Sequence, residues 1–319
     1  LYEFAPPTNN EIDEIYNKME MFQKLGEIFP SKLIRTCMSL AGHEDEFLLK
    51  NNNTNRNKPV LKYIQNAKNF PERYSQIVNP EKVVYDEELK DKLNQYYRKD
   101  AYNDIRRQPK ALGLGSLHSY LSPKIFVRQS ADKIIATYAE EECAANTSFY
   151  IINNSNEDGI LINVNLKYIT GVLNSRILSF YALSKNIIIT GNKKQPQMMI
   201  KPFRMLPIPM AKEDSQKVII SLVDFILTLK KGEKDTSFFE RLIDAIIYEL
   251  YLPEEIKAGG ADVLKYLNDL PELSKDDEVK SLKTIERVYK ELSDPKHPIS
   301  AALLKLLTID EVNIIEGRK

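Results

Sequence analysis

Apolar residues recur at helical spacing near the start of the chain, where Ile12, Ile15, Tyr16, Met19, Phe22 and Leu25 predict a helix over residues 9–25. Thr8 or Asn9 is placed to cap its first amides. The apolar runs then shorten to residues 28–29 and 47–49, and the polar stretch 51–59 predicts a long surface loop. Residues 61–65 and 83–86 predict short strands separated by Pro71 and Pro80, and residues 87–97 predict one more helix. The stretch 106–121, loosened by Gly113 and Gly115, predicts a flexible connection. A phosphate-cradling loop needs a preceding strand, a third glycine and a following helix, which are not evident there.

From Lys124 the pattern changes. Residues 124–129, 133–138, 148–152 and 160–164 are short runs rich in β-branched and aromatic side chains, which predict strands. Leu166, Ile169, Leu173, Ile177, Phe180 and Tyr181 then mark the face of a single helix packed on that sheet. Residues from Ile187 predict another strand, and residues 191–197 (GNKKQPQ) a polar, basic turn. After Pro209 three helical stripes follow, centred on Leu222, Ile243 and Ile285, with a last amphipathic piece beyond Pro295 and Pro298. The pattern predicts a mixed α/β (α+β) fold. A leading or linker helix occupies residues 1–24, a mixed-sheet domain residues 25–210 and a helical C-terminal extension residues 211–319.

The chain has 319 residues, which suits two domains or one with an extension. It starts at Leu1, and no apolar run reaches the roughly 18 residues of a membrane span, so it is expected to be a piece of a larger cytoplasmic protein without a membrane partner. Cys37 and Cys143 stand far apart with no Cys/His cluster, which argues against a metal in this stretch. Net charge is zero, yet it is segregated: −2 over residues 1–158, +8 over 159–212 and −6 over 213–319. The middle run holds Lys167, Arg176, Lys185, Lys193, Lys194, Lys201, Arg204 and Lys212 and not one Asp or Glu. Lysine and arginine are rarely buried without partners, so this run predicts a surface that faces an anion, with phosphate the leading candidate.

The order PKIFVRQ, DKIIATY, NTSFYII, LKYITGVLNSRILSFY and KPFRMLPIP resembles the TaqI-like C-terminal specificity domain of bacterial adenine-specific DNA methyltransferases, including fused type II restriction-modification enzymes. LGEIF, EDEFLL, LKYIQNAKNFPERYS and EKVVYD resemble the opening of the same domain, and FFERLIDAIIYELYLP the helix that follows it. The resemblance spans roughly residues 25–255. It implies a target-recognition domain that binds double-stranded DNA beside the catalytic methyltransferase domain of the same polypeptide. Neither the Gly-rich cofactor loop nor the Asn-Pro-Pro-aromatic motif of such catalytic domains occurs in this chain. S-adenosylmethionine, with or without magnesium, is therefore expected in the catalytic domains and not here.

Candidate DNA contacts follow from residue type and place. Lys193, Lys194, Gln195 and Gln197 stand in the predicted basic turn, where recognition groups commonly sit. Arg128 and Gln129 end a strand and match guanine and adenine edges, although an arginine bracing the sheet is as common. Lys185, Arg106, Arg107 and Lys110 are candidate phosphate contacts, and Arg176, on an apolar helix, reads more as structural. No catalytic residue is predicted. Glu88 and Lys90 form an ExK that resembles a metal-dependent nuclease motif, but on a helix and without an acidic partner. The alternatives to DNA recognition are a protein-interaction scaffold with a basic docking face and a small nuclease built on Glu88 and Lys90.

Overall fold

The computed structural model describes residues 9–49, 57–103, 111–191, 194–274 and 276–319. Its centre is a four-stranded antiparallel sheet of β1 (Ile34–Thr36), β4 (Lys124–Arg128), β5 (Ala136–Ala139) and β7 (Phe149–Ile152), in the order β1-β7-β4-β5. A second, mixed sheet carries β2 (Val60–Ile64) between antiparallel β3 (Glu81–Val84) and parallel β6 (Cys143–Ala145). A ribbon of β8 (Ile188–Gly191) and β9 (Lys194–Met198) stands apart from both.

Strand alternation explains why the central sheet is buried on both faces. Ile125 and Val127 on β4, with Tyr150 and Ile152 on β7, join the larger apolar core, which the helices cover. Phe126, Phe149 and Ile151 point the other way, into a second core shared with Leu61 and Tyr63 of β2. The register pairs Ile125 with Ile152 and Phe126 with Ile151, so each cross-strand pair serves one core. Lys124 opens β4 fully buried. Its Nζ donates to the Glu141 carbonyl at 2.6 Å, and burial pushes its pKa down to about 8.

The predicted single helix over residues 166–181 is two, Leu166–Leu173 and Arg176–Ser184. The break has a cause: the Asn174 side-chain amide donates to the Ala136 carbonyl and its oxygen accepts from the Ala136 N–H, both at 2.9 Å. An asparagine pairing with the edge of β5 cannot continue the helix pattern around it. The second helix starts at Ser175, whose own side chain provides no cap. Buried Asp244, from the helix Ser237–Tyr251, instead accepts from the Arg176 N–H at 2.8 Å, placing a carboxylate at the positive helix end.

The C-terminal helices share the larger core, which runs from Ile15 to Ile315. Gly171 lets the helix Glu213–Lys231 approach closely, since a Cβ there would stand 2.7 Å from Ile219 Cγ2. The first helix, Asn9–Glu20, stops short of the predicted residue 25 and buries Ile15 and Met19 in that core. Residues 160–164, predicted as a strand, form only the bridge Ser155–Leu161, whereas β6, a run of Cys and Ala, was not signalled by its composition. The described part of the predicted flexible connection is ordered: Gly113 exchanges both backbone hydrogen bonds with Ser39, and Leu112, Leu114 and Tyr120 are buried.

Candidate nucleic-acid interface

The acid-free run is not acid-free in space. Lys167 Nζ lies 2.7 Å from Asp224, and Arg176 reaches Asp244 at 3.1 Å and Glu316 at 3.2 Å. Lys185 lies 2.8 Å from Glu20 and stacks over Tyr16 at 4.5 Å. Arg204 donates to the Ser31 and Ile34 carbonyls at 3.0 and 2.6 Å. Four of the eight cations are thus used to fasten the fold, three of them through carboxylates from distant parts of the chain. Lys201 and Lys212 are exposed and, among the described residues, engage no carboxylate.

The predicted turn at residues 191–197 is a β-ribbon. Ile188 pairs with Met198, Ile189 with Gln197 and Gly191 with Lys194, so β9 carries one extra residue as a bulge that re-aims its side chains. Gln195 and Gln197 are exposed, while Ile188 and Met198 are buried at the root. That root is bonded to the central sheet. The Met198 N–H donates to the Gln129 carbonyl at 2.8 Å, and the Met198 carbonyl accepts from the buried Tyr150 hydroxyl at 2.8 Å. Tyr150 also stacks on Phe203, with ring centroids 5.4 Å apart.

Arg128 and Gln129 lie at the same joint, bonded to backbone. Arg128 donates to the carbonyls of Pro71 and Ser130, each at 3.0 Å, and burial lowers its pKa. The Gln129 amide donates to the Thr147 carbonyl at 2.5 Å. Lys193, Arg106, Arg107 and Lys110 lie outside the described residues, and Lys194 is placed only as a strand position. Two features of the ribbon and its root, the Tyr150 hydroxyl bond and the exposed Ile189, were missed in the sequence. Tyr150 gave no signal, because an aromatic in a strand reads as core. Ile189 gave a usable one: in a run of three isoleucines on a period-two strand, at least one must face outward.

Other features offer little chemistry. Two adjoining clefts of about 360 and 810 Å3 share Glu140, Lys167, Asp224 and Lys231, a mixed-sign lining that does not suit a phosphate. Lys58 pairs with Glu88 and Lys90 with Asp91, and among the described residues no cluster of three His, Cys, Asp or Glu is placed to hold a metal. Gly113 exchanges both backbone hydrogen bonds with Ser39, and the Gly115 carbonyl accepts from the Tyr85 hydroxyl at 2.7 Å. Among the described residues no helix is long and apolar enough to cross a membrane.

Over 220 residues the chain is 26% identical to a candidate type II restriction enzyme and methyltransferase of Methanocaldococcus jannaschii. That match covers 66% of this chain and 17% of the relative, so the chain spans a small part of its length. A solved structure of the type IIL restriction-modification enzyme MmeI in complex with DNA aligns over 81% of this chain and 35% of that one, at 9% identity and a TM-score of 0.43. The family model of the TaqI-like C-terminal specificity domain matches residues 50–208. By that match, residues 50–208 belong to the family of TaqI-like C-terminal specificity domains.

Proposed function

We propose that this chain reads a short sequence in double-stranded DNA and positions a methyltransferase part of the same polypeptide upon it. The observation that carries this reading is the β8–β9 ribbon, which holds two exposed glutamines on an arm bonded at its root to the central sheet. The major groove of B-DNA admits a two-stranded ribbon, and a glutamine amide matches the N6 donor and N7 acceptor of adenine. Lys193, Lys194, Lys201 and Lys212, with Arg106, Arg107 and Lys110, would contact phosphates and set the register. Gln129, whose carbonyl accepts from the Met198 N–H, and its neighbour Arg128 would brace the ribbon's root through their bonds to Thr147 and Pro71, while Lys185 is tied to Glu20.

The catalytic chemistry belongs elsewhere in the polypeptide. S-adenosylmethionine, with magnesium where cleavage accompanies methylation, would act there on an adenine flipped from the stack. Such a protein works on DNA in the cytoplasm. Selection from a pool of random duplexes at moderate salt tests the reading. An enriched motif is expected, and changing Gln195 and Gln197 to Ala should lower affinity for it about tenfold or more while sparing unrelated duplexes. No enriched motif, either with the chain alone or after joining the upstream catalytic part, would overturn the proposal in favour of a protein-docking role.

A further inference from the structure

On the ribbon, Ile189 and Gln197 are Cα partners in the antiparallel register, and both side chains are exposed, Ile189 to 51%. Residues directly opposite each other on antiparallel strands project from the same face, with Cβ atoms about 4.5–5.5 Å apart. The bulge lies beyond this pair, between Ile189 and Gly191, so the pair itself keeps regular geometry. An exposed branched aliphatic side chain thus stands beside an amide that can donate and accept together. Leaving apolar area in water is unfavourable, and here the packing does not require it, because the neighbouring Ile188 already fills the root.

The two groups match the two halves of one base pair. In the major groove adenine offers N7 as acceptor and N6 as donor, and its partner thymine offers a C5-methyl group at the same level. We infer that the Ile189–Gln197 pair reads a single A·T base pair, Gln197 bonding the adenine edge and Ile189 packing on the thymine methyl. This rests on the DNA-reading role proposed above and adds a specificity determinant to it. An apolar contact also supplies selectivity against cytosine, which has no methyl at that position and carries an amino donor.

The test uses the motif enriched in the selection. Each thymine in it is replaced in turn by deoxyuridine, which keeps the base pairing and removes only the methyl. At one position the parent protein should lose about threefold to fivefold in affinity, as for one apolar group left unburied. Ile189→Ala should abolish that methyl dependence, Ile189→Val should keep most of it, and Gln197→Ala should relax the choice of adenine at the same base pair. Because Ile189 is exposed, these variants leave the core intact. Indifference to the methyl at every position, or methyl dependence that survives Ile189→Ala, overturns the inference while the selected motif upholds DNA recognition. Failure to select any motif overturns both.

Discussion

Removing a single hydroxyl at the root of the ribbon separates the positioning of the glutamines from their contacts. Tyr150 is 3% exposed, and its hydroxyl donates to the Met198 carbonyl at 2.8 Å. Tyr150→Phe keeps the ring and its stacking on Phe203 and deletes only that donor. A hydrogen bond of this kind contributes about 0.5–1.5 kcal/mol net, and leaving a buried carbonyl without its partner raises the cost towards about 2 kcal/mol. The expected loss is therefore about 1–2 kcal/mol in urea unfolding, seen as a lower midpoint with an unchanged slope. Amide hydrogen exchange should report the locality of the effect. The Met198 N–H, held by the Gln129 carbonyl, should exchange faster in the variant, while Phe126 and Ile151 in the central sheet should change little. Sequence preference should weaken as the ribbon loses its fixed aim. Stability within about 0.5 kcal/mol of the parent, with unchanged exchange at Met198, would refute the idea that this bond holds the ribbon.

Two further substitutions probe how the C-terminal helices join the specificity domain. Gly171→Ala should gain about 1 kcal/mol of helix propensity but drive its methyl to 2.7 Å from the stiff Cγ2 of Ile219, so a net loss of about 1–2 kcal/mol is expected in denaturant melts; a stabilised variant would mean the two helices are not closely packed. Burial raises the Asp244 carboxyl from 3.8 to about 6 against the pull of Arg73 and Arg176, so the folded state holds this proton more tightly than the unfolded chain. Its contribution is therefore lost as pH rises through that window, by at most about 3 kcal/mol, and Asp244→Asn should flatten that part of a stability–pH curve; an unchanged curve would place the titration elsewhere.

Periodicity made much of the fold legible. The strands at residues 124–128 and 149–152 follow from dense β-branched and aromatic residues, and the helices after Pro209 from their apolar stripes. What sequence could not convey was decided by single tertiary bonds. Asn174 breaks a continuous helical pattern because β5 offers it a matching N–H and carbonyl, and no local preference encodes that partner. Strand β6 escaped because Cys143, Ala144 and Ala145 carry no β signal, and β2 recruits them as a parallel neighbour. In the candidate site, the glutamines were legible as polar residues between strands. Their support was not, since Tyr150 lies some 50 residues away in the chain and its role depends on one hydroxyl.

The charge pattern carries a physical lesson about reading neutral chains. A run of +8 beside a tail of −6 suggested a basic surface with an acidic remainder elsewhere. In the folded protein the two attract each other: Lys167 meets Asp224, and Arg176 meets Asp244 and Glu316, with Lys185 taking Glu20 from the opposite end of the chain. Segregation along the sequence becomes complementarity between packed segments, which fixes how the helices seat on the sheet. Only cations left over from that pairing can raise the potential toward an anion. Among the described residues of that run, Lys201 and Lys212 are such a remainder, and contacts between their charges and phosphate would carry no sequence information. On the proposed reading, selectivity must come from directed groups, and the ribbon exposes two glutamines, Gln197 opposite the exposed Ile189, on strands whose root is tied to a sheet buried on both faces.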